Sequence, residues 1–539
     1  MMKRMLPILL SALFLILLFF LSFSSAGKFN TPDESAHFYF ARLFVETGSL
    51  KSAESQNMLV ENVLHPRAVN VVRGFLVPEG FWGLPLIYGA LAKLFGTAAL
   101  PFFTGAIALA SLPAAYVLFR SVFGLRVAKL AILLLALNPV FWYNASRGFY
   151  HNSLFACLLV VSLSMLALAW RGYRARAPLW FVLSGLAAGS ALVVRPAEVV
   201  WVAGLFFVLG VAQLLRRNFS VFWFAAVFFP LMAIPLVNHD LYGGVFRFGY
   251  AVSENPVSPS TVEASEAVPP KFSAMGLVGQ LFLPFGYHPG EAFHRVARYG
   301  ILPIWWCVLP VAFGFLALFR PGMFMGSAER RYALLWAIFS LYLTLAYGSF
   351  NAEFFTDPGQ IPSAGIGSAY LRYWLPVYIF ASPFAAVGWL FLWDKFRGVP
   401  FGRKACVPVV ILTVFFSARA VFWNGAESLA SIAKDVSLFR EQADRAQSAT
   451  LPESVFFIPK WADRVYFPEQ RVAVDLEGKN VVKIVVSLLK SGIPVFQLRG
   501  RGEVTLVAEE MAEESLRFVR RFDLDPKGKV YEIERAGVR

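Results

Sequence analysis

Long apolar stretches alternate with short polar stretches through the first 425 residues of the chain. Runs of about 20 apolar residues match the thickness of a bilayer core and predict membrane-spanning helices. Residues 84–95 are apolar but short, which favours an interfacial helix there. The pattern predicts about eleven spans, which we place at residues 5–26, 98–119, 130–145, 153–170, 179–194, 199–215, 220–237, 299–319, 332–348, 370–393 and 405–423.

The polar stretches between the predicted spans show a regular bias of charge. Lys3 and Arg4 precede the first span, and Lys or Arg recurs in every second loop after it. Because basic residues favour the cytoplasmic side, this alternation predicts that residues 27–83 and the polar loops at 238–298 and 349–369 lie outside. The first apolar stretch also has features of a cleavable signal peptide, but its length favours an uncleaved first span.

The last part of the chain has a different pattern. Residues 426–539 mix charged residues with short runs of β-branched and aromatic residues, which predict strands, and with stretches of helical periodicity. The predicted strands are 455–458, 481–486, 494–498 and 504–507, and the predicted helices are 427–447 and 508–520. The predicted fold is therefore a polytopic α-helical membrane domain, residues 1–425, followed by a small extracytoplasmic α/β domain, residues 426–539.

The composition agrees with a membrane location. Of the 539 residues, 58% are hydrophobic and 15% are charged, whereas soluble proteins carry roughly 25% charged residues. The net charge of +15 does not indicate nucleic-acid binding, because the basic residues lie in separate loops rather than in one patch. Cys157, Cys307 and Cys406 each lie in an apolar run without pairing or CxxC spacing, which argues against disulfides, zinc and thiol catalysis.

Two adjacent acids follow the first predicted span. Asp33 and Glu34, with His37 one helical turn later, are expected at the membrane surface, where carboxylates are costly unless they are hydrated, paired or used in chemistry. One interpretation is structural, with Pro32 at the first position of a helix and the acids in its first turn. The other is catalytic, with Asp33 as the preferred base that accepts the proton of an attacking hydroxyl.

Further polar residues lie at the predicted outer ends of helices, namely Arg147, His151, Arg195 and Arg372, the last followed by Tyr373. Each one alone has a structural explanation, since an arginine at a helix end commonly extends its charge towards the headgroups. Together with the acids they indicate a site at one membrane face. Sugar transfer from a lipid phosphate would use both groups, because a carboxylate can accept the proton of the acceptor hydroxyl while an arginine binds the departing phosphate.

The segment that carries the two acids also resembles a known family. An N-terminal helix followed by PDESAHFYFAR at residues 32–42 is similar to the first outer loop of the GT-C membrane glycosyltransferases. FWGLPL at 81–86, GLAAG at 185–189 and LRYWLP at 371–376 are similar to later segments of that family. The resemblance covers about residues 5–425. It is closest to the dolichyl-phosphate-mannose protein mannosyltransferases and their bacterial and archaeal relatives, including the lipid A aminoarabinose transferases.

The resemblance implies an inverting transferase of the cell envelope that moves a sugar from a polyprenyl-phosphate donor to a lipid, glycan or protein acceptor. The reaction would take place among membrane lipids, on the extracytoplasmic face. The family's acid in the first outer loop corresponds to Asp33, with Glu34 beside it, and Arg372 is the expected contact of the donor phosphate. The further candidates for substrate binding are Tyr373, Arg195, Arg147, His37 and His151.

Two features depart from the family pattern. RGFYHN at residues 147–152 stands where the eukaryotic members have a further acid, which leaves a second catalytic acid and the acceptor open. The family's His-Pro-Pro segment is matched at best by His65-Pro66-Arg67. Separately, the chain has no isolated Asp-x-Asp pattern of the kind that holds a divalent metal in nucleotide-sugar enzymes, and the nearest one, at residues 523–525, lies in the C-terminal domain and predicts a turn. No divalent metal or other cofactor is therefore expected.

Three alternative functions remain open. A secondary transporter would carry polar residues near helix midpoints and show two related halves, whereas the charges here lie at predicted helix ends. A non-catalytic membrane assembly protein would leave the acids and the arginines without a shared role. An oligosaccharide ligase or polymerase of the same architecture would differ in the chain length of its donor. The sequence names neither the sugar nor the acceptor.

Overall fold

The computed structural model describes residues 27–171, 176–214, 220–251, 282–319, 326–350, 365–395, 402–474, 476, 480–500, 511–512, 514–524 and 528–535. The first predicted span, residues 5–26, and the predicted strand at 504–507 lie outside the described residues. The chain divides into two compact units. The helical unit comprises Met1–Leu21, Phe102–Ala233 and Pro256–Ile432, and the mixed unit comprises Ser22–Pro101, Ile234–Asn255 and Ala433–Arg539.

Helices dominate the described residues. In chain order they are α1 (Pro32–Thr47), α2 (Gly83–Phe95), α3 (Phe103–Ala136), α4 (Pro139–Ser146), α5 (His151–Trp170), α6 (Ala177–Val194), α7 (Val199–Leu214), α8 (Val221–Leu231), α9 (Ala233–Tyr242), α10 (Pro289–Arg295), α11 (Trp305–Ala317), α12 (Ser327–Ser349), α13 (Ala369–Tyr373), α14 (Leu375–Lys395), α15 (Gly402–Phe422), α16 (Leu429–Ala449), α17 (Asp463–Tyr466) and α18 (Val481–Lys490). The strands are β1 (Ser52–Ala53), β2 (Val69–Val72), β3 (Phe75–Pro78), β4 (Val455–Phe457), β5 (Arg471–Ala473), β6 (Val495–Gly500), β7 (Leu516–Leu524) and β8 (Gly528–Arg535).

Seven helical stretches among the described residues are long and apolar enough to cross a membrane, which makes this a multi-pass membrane protein. They are Thr97–Ala136, His151–Trp170, Ala177–Val194, Val221–Tyr242, Pro289–Ala317, Ser327–Ser349 and Leu375–Lys395. Three shorter apolar helices accompany them, at Gly83–Phe95, Pro196–Val211 and Pro408–Phe422. The predicted helical membrane fold is confirmed, while the number of about eleven spans stays a prediction.

The first of these stretches contains a break. The backbone of Gly124 is non-helical, with φ 79° and ψ 178°, so two helical segments meet there. A φ of this sign is favoured at glycine, which has no side chain to collide with the following carbonyl. The break falls where the sequence predicts a loop between the spans at 98–119 and 130–145.

Glycines bring helices of the helical unit into close contact. A Cβ atom at Gly185 or Gly189 of α6 would lie 2.5 or 2.3 Å from a backbone oxygen of α8. Gly314 of α11 and Gly388 of α14 form a reciprocal pair, since a Cβ at either would lie within 2.3 Å of a backbone oxygen of the other helix. Small residues at such crossings let membrane helices pack backbone to backbone.

The mixed unit is built on two sheets. The first is antiparallel, in the order β1-β3-β2. The second has the order β5-β4-β6-β8-β7, in which β5, β4 and β6 are parallel and β8 is antiparallel to both of its neighbours. The small first sheet was not anticipated from the sequence, because two of its strands have only four residues and the third has two.

The core of the mixed unit joins two distant parts of the chain. Val60, Val63 and Leu64, from the segment between β1 and β2, are buried together with residues of β4, β6 and α18. In addition, His65 forms an isolated parallel bridge with Ala473 at the end of β5. The C-terminal segment therefore shares its core with the segment after α1, and the domain boundary at 425/426 stays a prediction.

One predicted strand of the C-terminal segment is a helix, so the prediction for residues 481–486 is wrong. They form the first part of α18, where the Asn480 side chain caps the helix by accepting from the backbone N–H of Lys483 (2.9 Å). Val482 and Val485 lie on its buried side, at helical spacing. The cap and this periodicity outweigh the strand propensity of the four valines and one isoleucine in the run.

One predicted helix contains a strand. Residues 508–520 include the start of β7 at Leu516, so the helix prediction is wrong there, although residues 511–512 are helical. Pairing with β8 stabilises the strand, and Arg517 contacts Glu534 across the two strands (2.9 Å). The predicted helix at 427–447 corresponds to α16, and the predicted strands at 455–458 and 494–498 correspond to β4 and β6. These three predictions are confirmed.

Candidate functional site

Asp33 and Glu34 lie in the first turn of α1. Thr31 is the N-cap, in an extended conformation, and Pro32 occupies the first helical position. The backbone N–H of Glu34 donates to Thr31 Oγ1 (3.3 Å), and the Thr31 hydroxyl donates to Glu34 Oε2 (3.0 Å). This pair has the spacing of a capping box, and Glu34 is 1% exposed. Glu34 therefore serves the helix terminus, while Asp33 on the same turn is half-buried.

A third carboxyl group, that of Glu79, belongs to the same region of the mixed unit. Glu79 follows directly on β3, which the hairpin with β2 fixes in place. Burial raises the pKa of Glu79, the nearby charge of Asp33 raises it further, and a hydrogen bond from the Ala68 backbone lowers it. The charge of Asp33 therefore acts on Glu79. Glu79 is not among the site residues predicted from the sequence, although it lies in the same predicted outer loop.

His37 lies one turn after Asp33 and is buried. A Cβ atom at Gly80 would lie 3.8 Å from His37 Nε2 and 3.2 Å from the Tyr250 hydroxyl, so the glycine leaves room for both side chains. Tyr250 itself is 55% exposed. The acids, a histidine and a tyrosine therefore converge around the start of α1. Tyr250 has no signal in the sequence, because a separate segment of the chain brings it here.

The segment that carries Tyr250 is fixed against the residues after β3. Trp82 Nε1 donates to Asn238 Oδ1 (2.8 Å), and the Tyr242 hydroxyl donates to the Pro78 carbonyl (2.9 Å). A Cβ at Gly249 would lie 2.2 Å from the Glu79 carbonyl oxygen, so only glycine fits this approach. The backbone around Glu79 is thus held from both sides.

The predicted arginines of the helical unit alternate with tyrosine rings. The Arg147 guanidinium lies 5.0 Å from the ring centre of Tyr150 and donates to the Tyr143 hydroxyl (2.8 Å). The Arg372 guanidinium lies 5.1 Å from the same Tyr150 ring and 5.4 Å from the ring of Tyr373. Such contacts attract a cation to the negative face of the ring. Arg147 and Arg372 are therefore linked through one shared tyrosine.

Arg195 continues this alternation. Its guanidinium lies 5.5 Å from the Tyr373 ring and 5.6 Å from the Tyr347 ring. Arg195 Nη2 also forms an ion pair with Glu198 Oε1 (2.7 Å) and donates to the Tyr347 hydroxyl (2.8 Å). The Tyr347 hydroxyl donates to Glu198, which also accepts from Trp201 Nε1. We call the set Tyr143, Arg147, Tyr150, Arg372, Tyr373, Arg195, Tyr347 and Glu198 the arginine–tyrosine array.

His151 does not enter the array through any of these contacts. It begins α5 and is buried, and its neighbour Asn152 makes the link instead, because Asn152 Nδ2 donates to the Arg372 carbonyl (3.1 Å). The preceding backbone is held by Thr104, whose hydroxyl accepts from the N–H of Phe149 (3.3 Å). The RGFYHN segment thus contributes Arg147, Tyr150 and Asn152 to the surroundings of Arg372, a connection that the sequence did not predict.

The structure therefore brings the predicted residues together in two groups. Asp33, Glu34 and His37 belong to the mixed unit, and Arg147, Arg195, Arg372 and Tyr373 belong to the array of the helical unit. Within the described ranges, no group of three or more His, Cys, Asp and Glu side chains is arranged to hold a metal ion.

The chain has a GT-C-like fold, as the sequence resemblance predicts. Among solved structures it is similar to ArnT from Cupriavidus metallidurans bound to undecaprenyl phosphate, with a TM-score of 0.56 and 13% identity over 97% of each chain. The same protein in the apo state gives a TM-score of 0.51 and 14% identity, again over 97% of each chain. At these identities the likeness establishes the fold alone.

The Archaeoglobus fulgidus oligosaccharyltransferase tethered with an acceptor peptide is a more distant match. Its TM-score is 0.49 at 11% identity, over 90% of this chain and 69% of that one. No protein-family model and no curated protein matches the sequence.

Proposed function

We propose that this protein is an integral membrane glycosyltransferase. It moves a sugar from a polyprenyl-phosphate donor to a hydroxyl group of a lipid, glycan or protein acceptor, on the extracytoplasmic face and with inversion of the anomeric centre. The observation that carries the proposal is the arginine–tyrosine array, which gathers three guanidinium groups at helix ends of a membrane protein. The likeness of the fold to ArnT, solved with undecaprenyl phosphate, supports the lipid donor.

Asp33 is the proposed base. Its carboxylate accepts the proton of the acceptor hydroxyl as the hydroxyl oxygen forms a bond to the anomeric carbon. The bond from that carbon to the phosphate oxygen breaks, and its electron pair leaves with the polyprenyl phosphate. Glu34 has a different role, because its carboxylate accepts from the Thr31 hydroxyl at the cap of α1. Glu34 thus orients the turn that carries Asp33.

Arg372 is the proposed contact of the departing phosphate. Its guanidinium lies against Tyr150 and Tyr373, and its backbone carbonyl accepts from Asn152. A planar guanidinium can bind two phosphate oxygens at once and stabilise the charge that develops on them. Arg147 shares the Tyr150 ring with it and is the second candidate for this contact.

Arg195 is assigned a supporting role, which differs from its sequence-based prediction as a phosphate ligand. It is 3% exposed, and Nη2 contacts both Glu198 and Tyr347. These contacts hold the Tyr347 and Tyr373 rings, and the Tyr373 ring lies against Arg372. Arg195 therefore acts on the phosphate contact through tyrosines. His37 remains a candidate for the acceptor side, beside Asp33, and His151 remains a candidate for substrate binding.

A transfer assay in liposomes tests the proposal. The purified protein is given labelled polyprenyl-phosphate sugars together with lipid, glycan and peptide acceptors, and wild type is compared with Asp33→Asn. We expect transfer by wild type, loss of transfer in Asp33→Asn, and retained donor binding in the variant. Asp394→Asn is the control, because it removes a carboxylate from an exposed pair with Arg126.

The outcomes separate the alternatives. Transfer that survives Asp33→Asn would assign the base to another group, with Glu34 or Glu79 next in order. Solute flux without transfer from any lipid donor would make the protein a transporter, and neither activity would favour an assembly protein. A preference for long oligosaccharide donors over single sugars would indicate a ligase or polymerase.

A further inference from the structure

We infer that Arg464, in the C-terminal segment, is a positioning residue for Asp33, because it binds the backbone that leads into α1. The inference rests on the proposed function in one respect, which is the role of Asp33 as the base. It assigns a role in catalysis to a segment that follows all of the predicted spans. The contacts that carry it lie within the mixed unit and join α17 to the residues just before α1.

The Arg464 side chain reaches the start of α1 directly. Arg464 Nη1 donates to the carbonyl oxygen of Asn30, the residue before the N-cap Thr31. Arg464 Nε donates to the Trp461 carbonyl (3.1 Å), and the guanidinium lies 5.4 Å from the ring centre of Phe439. The guanidinium is therefore held by the turn just before α17 and by α16 while it binds Asn30. Only Thr31 and Pro32 separate this contact from Asp33.

A buried lysine provides a second attachment. Lys28 is 3% exposed, and its ammonium donates to the Phe467 carbonyl (3.0 Å) and forms an ion pair with Glu469. Burial lowers the pKa of Lys28, while the charge and the hydrogen bond of Glu469 raise it. An ammonium group is costly to bury without such partners. The backbone before α1 is thus bound at two points. Phe467 and Glu469, which follow α17, bind Lys28, and Arg464 of α17 binds Asn30.

The short helix α17 is itself firmly anchored. Asp463, next to Arg464 in the chain, is 1% exposed. It accepts from Arg67 three times, from the backbone N–H (3.1 Å), from Nε (3.0 Å) and from Nη2 (2.9 Å). On the other side, the rings of Tyr39 in α1 and Phe467 meet edge to face with centres 4.8 Å apart. Arg464 therefore connects a firmly held helix to the backbone before Asp33.

This arrangement has a consequence for catalysis. The base must lie within hydrogen-bond reach of the acceptor hydroxyl, and a displacement of about 1 Å at a reacting group can lower a rate roughly 100-fold. A residue that fixes the backbone of Asn30 controls the direction of the first turn of α1, which carries Asp33. Loss of Arg464 should therefore affect turnover more than donor binding, because the arginine–tyrosine array is unchanged.

The test compares Arg464→Gln and Arg464→Lys with a matched control, Arg445→Gln. Arg445 forms an exposed pair with Glu441 on α16 and has no described contact with α1. Two readouts are used on the full-length protein, amide hydrogen exchange of residues 28–36 and steady-state transfer from the lipid donor. We expect faster exchange at residues 28–36 in Arg464→Gln and a roughly tenfold lower kcat, with KM for the donor changed less than about twofold.

Two further results are expected. Arg464→Lys, which keeps a charged donor, should recover part of the turnover, and Arg445→Gln should behave as wild type in both readouts. Unchanged exchange at residues 28–36 in Arg464→Gln would overturn the inference. Faster exchange that extends equally to β4 would also overturn it, because it would indicate general destabilisation. Faster exchange at residues 28–36 with unchanged kcat would overturn it as well, because the contact would then have no catalytic consequence.

Failure of the proposed function gives a different result. If wild type transfers no sugar from any lipid donor, the glycosyltransferase proposal fails, and the catalytic part of the inference fails with it. The exchange measurement still decides whether Arg464 fixes the start of α1. The two failures are therefore distinguishable.

Discussion

The rings of Tyr347 and Tyr373 stack almost parallel, with centres 4.8 Å apart and planes inclined by 11°. One tyrosine ends α13 and the other lies in the last turn of α12. Arg195 lies against both rings and Arg372 lies against the Tyr373 ring. The stack therefore connects the buried Arg195–Glu198 pair with Arg372, the arginine that we assign to the phosphate.

Replacing Tyr373 tests the stack. Tyr373→Phe keeps an aromatic ring and should retain most of the activity, whereas Tyr373→Leu removes the face shared by two guanidinium groups. Each such contact is worth about 0.5–2 kcal/mol, so we expect kcat/KM of Tyr373→Leu to fall roughly tenfold. Steady-state transfer in liposomes measures the difference. Equal activity of the two variants would show that the ring has no such role.

Arg372 should be the most sensitive arginine of the array. Arg372→Lys keeps the charge but loses the planar fork, and we expect kcat to fall roughly 100-fold, as for the loss of one donor to a developing anion. Arg126→Lys is the control, because Arg126 forms only an exposed pair with Asp394 in the described structure and should change kcat less than about twofold. A larger loss in Arg147→Lys than in Arg372→Lys would exchange the two assignments.

The Arg195–Glu198 pair should matter for stability. Both side chains are 4% exposed, so Glu198→Gln leaves a buried guanidinium without its carboxylate. We expect the variant to lose about 3–5 kcal/mol of stability, seen as a lower unfolding temperature in detergent. Glu441→Gln breaks an exposed pair instead and should cost less than about 1 kcal/mol. A similar unfolding temperature for both variants would argue against a structural role of the buried pair.

Glu79 should make stability depend on pH. Its pKa is raised above the ordinary 4.5 by burial and by Asp33, so the folded state holds this proton more tightly than the unfolded state. The stabilising contribution is complete below the unfolded pKa and is lost as the pH rises through the folded pKa. Glu79→Gln cannot lose a proton and avoids this loss.

The direction of this pH dependence gives the expected result. The unfolding temperature of Glu79→Gln, relative to wild type, should be higher at about pH 8 than at about pH 4. Thermal unfolding at a series of pH values measures it. A difference between the proteins that does not change with pH would mean that Glu79 has an ordinary pKa in the folded state.

Transfer should not depend on a divalent metal. The sequence has no Asp-x-Asp pattern in its predicted outer loops, and arginine can supply the positive charge that a metal supplies elsewhere. We expect the rate of transfer to persist in EDTA and to show no stimulation by added Mg²⁺ or Mn²⁺. Loss of transfer in EDTA, with recovery on addition of one cation, would contradict this expectation.

Much of the fold could be predicted from the sequence, because membrane helices are defined by local runs of apolar residues. The same is true of the start of α1, where Thr31, Pro32 and Glu34 already indicate a helix N-terminus in the printed sequence. The spacing of Arg195 and Glu198, three residues apart, also contained a signal for an ion pair. The outer position predicted for Arg195 indicates a ligand role instead.

The remaining features depend on contacts between distant parts of the chain. Nothing local indicates that Tyr250 approaches Gly80, or that Arg464 binds the carbonyl of Asn30. The helix α18 was not predicted because its valines favour strands, whereas the Asn480 cap and burial within the core of the mixed unit favour the helix. Propensity and pattern describe segments, whereas these contacts depend on the whole fold.

The cap of α1 makes the two neighbouring acids unequal. Glu34 spans the distance to the Thr31 hydroxyl, and aspartate at this position would be one methylene too short to reach it. Glutamate at the Asp33 position would carry its carboxylate one methylene farther from the helix. A chain with the two acids exchanged would have the same composition, charge and hydropathy, yet it would lose the Glu34 contact with the Thr31 hydroxyl and the placement of the proposed base. The order of the pair, and not only the presence of two acids, therefore matters for the roles proposed for them.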